Sequence, residues 1–203
     1  MHVNSYVNCK LNCSTVIATC AYQGLKPVKA VTLHKWSGIL DGRYTNEELL
    51  HLMNTDERYT DIKQRIFNTQ CLIIDEMSMI SAKTLNQVEF ILRNTRNNSF
   101  SFGGIQMILC GDFSQLPPVA NELYGDQGKH CFNTKFFDQV FPHRVNLHII
   151  YRQTDSLKEA FQMQQRQSYS HWVDPYPIQL MLKILFTCSV EMLMPIFIIT
   201  KWS

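Results

Sequence analysis

An α/β fold built on a mostly parallel sheet is what this 203-residue sequence predicts, and three observations predict it. Cys71-Leu-Ile-Ile-Asp75 is a continuous apolar run ending in a carboxylate, as expected of a strand buried on both faces. Gln106 to Cys110 is a second such run, closed by Gly111-Asp112. Segments with helical spacing lie around and between these runs, so that strands alternate with helices, the pattern of a parallel sheet.

Taken in order, Val16-Ile-Ala-Thr19 is a short buried-strand candidate, and Ala30 to His34 and the turn-prone Gly38-Ile-Leu-Asp-Gly42 follow it. Thr45 or Asn46 caps a helix running to about Met53, with Glu47 and Glu48 well placed in its first turn. Residues 54–70 are polar and helical around Ile62 and Ile66. After the first apolar run, Ser81 caps a helix whose stripe is Leu85, Val88, Ile91 and Leu92. Asn97 to Gly104 is turn-rich, Phe136 to Phe141 fits a short helix, and Val145 to Ile150 fits another strand.

Hydrophobic residues make up 45% of the chain and charged residues 18%, which describes a globular protein and excludes a disordered one. A net charge of +2 neither suggests nor opposes a polyanionic partner. The seven cysteines contain no C-x-x-C pair, and Cys9 and Cys13 with His2 lack a second pair to complete a metal site. Reduced thiols in an intracellular protein are expected instead. Met1 to Cys20 shows neither a basic region before a long apolar run nor an arginine-rich amphipathic pattern, so no targeting peptide is read there.

After about Arg166 the character changes. Ile178 to Ile199 is long enough for a membrane helix, but Lys183, Glu191 and Pro195 interrupt it. Twelve Ile, Leu, Phe and Val residues contribute on the order of −5 kcal/mol, against roughly +5 to +7 kcal/mol for the two charges. No stable membrane insertion is expected, and the tail is read as poorly folded.

The chemistry is read from two strand ends. Phosphoryl transfer needs positioning and charge neutralisation more than covalent steps. Asp75 can hold Mg²⁺ through a water, and Glu76 beside it can act as general base on a hydrolytic water. Gln115 can donate to a phosphate oxygen, and Asp112 can position the metal or its water shell. An Asp-Glu pair alone is more often a solvated loop, but the apolar run before it and the partner segment after it reverse that reading.

Four segments in this order resemble the Pif-type (petite integration frequency) DNA helicases of superfamily one. They are Thr32-Leu-His-Lys-Trp-Ser-Gly-Ile39, Ile74-Asp-Glu-Met-Ser-Met79, Gly111-Asp-Phe-Ser-Gln-Leu-Pro-Pro-Val119 and Tyr151-Arg-Gln-Thr-Asp155. The last three resemble the family's Walker B segment, motif III and motif IV. The resemblance implies a RecA-like domain, incomplete at both ends. It divides the chain into an irregular segment over 1–14, a partial motor domain over 15–166 and a divergent apolar tail over 167–203.

It also implies ATP as substrate with Mg²⁺, and single-stranded DNA or DNA junctions as partner. Arg152 would reach the terminal phosphate from the junction of two motor domains. His34, Lys35 and Trp36 would touch single-stranded DNA, which is gripped by stacking and phosphate contacts, with a core tryptophan and a histidine of no special role as the equal alternative. The family activity is 5′-to-3′ unwinding in DNA repair, recombination and telomere maintenance, in the nucleus or the mitochondrion.

Two features depart from the family. The G-x-x-x-x-G-K-[ST] phosphate loop is absent, and Gly125-Asp-Gln-Gly-Lys129 does not replace it, because its spacing is short and no strand precedes it. Nothing after residue 165 resembles a second motor domain. The expectation is a chain inactive on its own. The rival readings are a non-enzymatic module that binds single strands or a partner, and a membrane-associated protein using Ile178 to Ile199.

Overall fold

The computed structural model describes residues 8–20, 29–113, 115–146 and the strand Phe197–Thr200. Six strands form one parallel sheet in the order β2-β1-β3-β4-β6-β5. They are β1 Cys9–Cys13, β2 Val31–Thr32, β3 Cys71–Asp75, β4 Gln106–Gly111, β5 His143–Asn146 and β6 Phe197–Thr200. The helices are α1 Val16–Cys20, α2 Leu33–Ser37, α3 Asn46–Thr55, α4 Thr60–Asn68, α5 Ala82–Thr95 and α6 Phe137–Val140.

The two apolar runs behave as expected. Leu72, Ile74, Met107 and Leu109 are all at most 1% exposed, and β3 pairs β4 with Ile73 opposite Ile108 and Ile74 opposite Leu109. Helix α5 lays Leu85, Val88, Ile91 and Leu92 into the core beside Ile66, Phe102 and Phe141. Its start is fixed by Ser81, whose hydroxyl accepts from the Thr84 amide at 3.1 Å. A reciprocal capping box opens α3: the Glu48 amide donates to Thr45 Oγ1 at 3.2 Å, and the Thr45 amide donates to Glu48 Oε2 at 2.8 Å. Thr32 caps α2, and Gly38 ends it at φ 81°, where a β-carbon would also press on Ile62 at 3.0 Å.

Three expectations are corrected. Val16-Ile-Ala-Thr19 is not a buried strand but most of helix α1, with Val16 68% and Ile17 85% exposed. The strand lies just before it, so the segment 1–14 is not irregular throughout: Cys9–Cys13 pairs with both β2 and β3. Polar Lys10 and Asn12 dilute its apolar signal. The tail is not wholly outside the fold either, because Phe197–Thr200 runs between β4 and β5 and pairs with both. The strand expected over Val145 to Ile150 begins earlier, at His143, and its continuation past Asn146 lies outside the described residues.

Among the described residues, six cysteines are free thiols, no group of three metal-ligating side chains occurs, and no helix is long and apolar enough to cross a membrane.

Candidate functional site

In a parallel sheet all strands deliver their carboxyl ends to one edge, where α/β proteins bind ligands. Asp75 ends β3 at that edge and is 8% exposed. Glu76 follows in the left-handed region at φ 56°, a conformation that costs a non-glycine residue on the order of 1–3 kcal/mol. Asp112 follows β4 and is 2% exposed. Gln115 turns back onto it: its amide donates to the Asp112 carbonyl at 3.1 Å, and its Nε2 donates to Asp112 Oδ2 at 3.2 Å.

The two strand ends touch through Gly111. A β-carbon there would stand 2.8 Å from the Met77 nitrogen and 2.9 Å from its Cγ, so only glycine lets the turn after Glu76 close over β4. Asp75, Glu76, Asp112 and Gln115 therefore share one edge on neighbouring strands. Their charge is felt across the sheet. Cys13, opposite Asp75 in β1, has its thiol pushed up to about 11, first by burial and then by Asp75 and Glu76.

Hard oxygen donors at adjacent strand ends suit Mg²⁺, which takes one or two carboxylates and fills its remaining positions with water and substrate phosphates. The donor set fits that half of a metal–nucleotide site. Arg152 lies outside the described residues.

The stretch expected to meet DNA divides. Lys35 is exposed and His34 half-buried. Trp36 is 1% exposed in the hydrophobic core, so its ring has no face to offer a base, and of the two readings open for it the packing role is the one that fits.

Beside His34 is a cavity of about 190 Å³, whose lining includes Ser14, Thr15, Ser81, Lys83 and Gln87. Lys83 Nζ donates to the Gly42 carbonyl at 2.7 Å and also to the Tyr124 carbonyl. Ser81 Oγ bonds Asp126 Oδ2. The first turn of α5 thus ties the loop at Gly42 and the loop over 121–126 to one wall. Sequence reasoning passed over Ser14, Lys83 and Gln87 as candidates. The spacing of Lys83 and Gln87, four apart on one helical face, was the available signal.

A parallel sheet that carries Asp75, Glu76 and Asp112 at the carboxyl ends of neighbouring strands is an α/β fold of the class that binds its ligands at that edge. The PIF1-like helicase family profile matches residues 8–176, and this chain belongs to that family. It is 38% identical over 142 residues to the ATP-dependent DNA helicase RRM3 of Saccharomyces cerevisiae, covering 69% of this chain and 19% of that protein. Over 133 residues it is 37% identical to the ATP-dependent DNA helicase Pif1 of a Psychrobacter species, covering 64% of this chain and 20% of the relative. Among solved structures, Bacteroides Pif1 bound to single-stranded DNA aligns with TM-score 0.61 at 28% identity, over 80% of this chain and 37% of that one. Candida albicans Pif1 aligns with TM-score 0.54 at 32% identity, over 64% and 27%. The chain spans about a fifth of the length of the curated relatives it matches.

Proposed function

We propose that residues 8–146 are the acidic half of an ATP-hydrolysing motor domain of a DNA helicase. The observation that carries this reading is the convergence of Asp75, Glu76, Asp112 and Gln115 on the edge shared by β3 and β4. Asp75 holds Mg²⁺ through a water, and Glu76 takes the proton of the hydrolytic water. Gln115, oriented by Asp112, contacts the terminal phosphate. The bound Mg²⁺ neutralises charge on the phosphates. Arg152, through its resemblance to the family's motif IV, would serve the same phosphate. His34 and Lys35 face the single strand or junction, and the setting is nuclear or mitochondrial DNA maintenance.

The G-x-x-x-x-G-K-[ST] loop occurs nowhere in the 203 residues, so the phosphate cradle has to come from outside them. The test is a chimera in which residues 8–146 replace the matching segment of the Psychrobacter relative. DNA-stimulated ATP hydrolysis is expected to survive and to fall by about 10²-fold or more with Glu76→Gln. A dead chimera that folds, or one indifferent to Glu76, refutes the proposal. The isolated chain is expected to show no ATP-driven unwinding. The same absence favours a second reading, a module that binds single strands without hydrolysis. Salt-dependent binding of a labelled strand in the absence of ATP is its signature.

A further inference from the structure

Two thiols stand side by side at the amino end of the sheet, opposite the acid edge. Cys9 opens β1, Cys71 opens β3, and the two are register partners in parallel strands. Residues paired in this way put their side chains on one face of the sheet, with Cα atoms about 4.8 Å apart. That falls inside the window of about 4.4–6.8 Å that a disulfide spans. Among the described residues no other two cysteines are register partners: Cys13 pairs with Thr32 and Asp75, and Cys110 with Ile199.

The pairing is held just before both residues. The Gln70 and Cys71 amides donate to the Asn8 carbonyl at 3.1 and 3.3 Å. The Asn8 amide donates to Gln70 Oε1 at 2.9 Å, and Asn8 Nδ2 donates to the Asn68 carbonyl at 2.8 Å. The two thiols differ in access. Cys71 is 0% exposed, whereas Cys9 is exposed, and β2 reaches β1 only at Asn12 and Cys13. Other thiols are poorer targets. Burial pushes Cys13 up to about 11 and Cys131 up to about 12, so both stay protonated, and the thiolate is the reactive form. Cys20 is exposed but lies on helix α1, where its thiol donates to the Val16 carbonyl at 3.5 Å.

We infer that Cys9 and Cys71 are a modification site for peroxide, which closes them into a reversible disulfide. Hydrogen peroxide meets the exposed Cys9 first and passes one oxygen to its sulfur, giving a sulfenic acid and releasing the other oxygen as water. The Cys71 sulfur then attacks the Cys9 sulfur. The S–O bond breaks, and its oxygen leaves as water with the Cys71 proton. Two thiols are oxidised, one peroxide is reduced and two waters form. Closing the bond draws the β-carbons from about 4.8 Å to about 3.8 Å, a distortion that keeps the bond easy to reduce. The inference is independent of the nucleotide reading, since it uses neither the acid edge nor ATP.

The test treats the reduced full chain with hydrogen peroxide, counts thiols after denaturation and maps the peptides by mass spectrometry. Seven thiols should become five, with one peptide linking Cys9 to Cys71, and dithiothreitol should restore all seven. Cys9→Ser, at an exposed strand start, should abolish the linked peptide. In Cys71→Ala the sulfenic acid has no resolving partner, so dimedone should label Cys9 heavily where it labels the unaltered chain little. The same peroxide added to the urea-unfolded chain should form the Cys9–Cys71 link more slowly. An unchanged thiol count, oxidation confined to Cys20, or a Cys9–Cys9 bond between two copies overturns the inference. So does a Cys9–Cys71 link that forms no faster in the folded chain than in the unfolded one.

Discussion

Gly111 and Met77 pack backbone against backbone: a β-carbon on the first would sit 2.8 Å from the nitrogen of the second. This contact joins the turn carrying Glu76 to the end of β4. Gly111→Ala is expected to destabilise the chain by about 1–3 kcal/mol, the usual cost of forced overpacking. Urea unfolding checks it, and an unchanged midpoint would show that the turn yields freely.

Asn12 is fully buried in β1, and neither atom of its side-chain amide has a partner. Its strand neighbours are Val31 and Ile74. Asn12→Leu removes two unsatisfied groups and keeps the volume, so stability should rise by about 1–3 kcal/mol. In a domain of this size each kcal/mol is about 2–4 °C of Tm. A lower Tm for the variant would mean that Asn12 has a use the fold alone does not reveal.

His34 makes stability depend on pH. Burial lowers its pKa from 6.5, against a smaller opposing pull from Asp41 and Asp126. Between the folded and unfolded values the unfolded chain binds more protons, so stability falls as pH drops below about 6.5 and continues falling to the folded pKa. Above that window His34 is neutral in both states and adds no pH dependence. Thermal melts at pH 5.5 and 7.5 should therefore differ, and His34→Gln should shrink the difference. An equal gap in both proteins would assign the effect to other groups.

Lys83 ties two loops through one ammonium group. Lys83→Met keeps the stem and leaves the Gly42 and Tyr124 carbonyls without that donor, at a cost of about 1–3 kcal/mol. Hydrogen exchange should speed up at the amides of Gly42 and Gly125, whose turn bonds depend on the loops staying in place. Unchanged protection at both would show that α5 does not hold them.

Strands β3 and β4 and helix α5 were legible because their signals are local. Each apolar run is long enough to identify a strand, and Ser81 announces the helix it caps. The β1–α1 region misled for the same reason. Val16 and Ile17 have strand-like side chains but sit exposed on a short helix, while β1 hides a buried asparagine among its residues. Trp36 stood evenly between a DNA contact and a core residue, because a sequence cannot tell a buried indole from a displayed one, and its 1% exposure decides for the core. The acid edge was readable from Asp75-Glu76 and Gly111-Asp112. The cavity was not, since Ser14, Gly42 and Gln87 meet only through tertiary packing.

Strand β6 joins the sheet between β4 and β5 although it follows β5 by about fifty residues. A nascent chain therefore exposes the open flank of β4 until the stretch that carries β6 has left the ribosome. Such a flank is an invitation to pair with another copy, so folding yield should depend on how quickly the residues between β5 and β6 are synthesised.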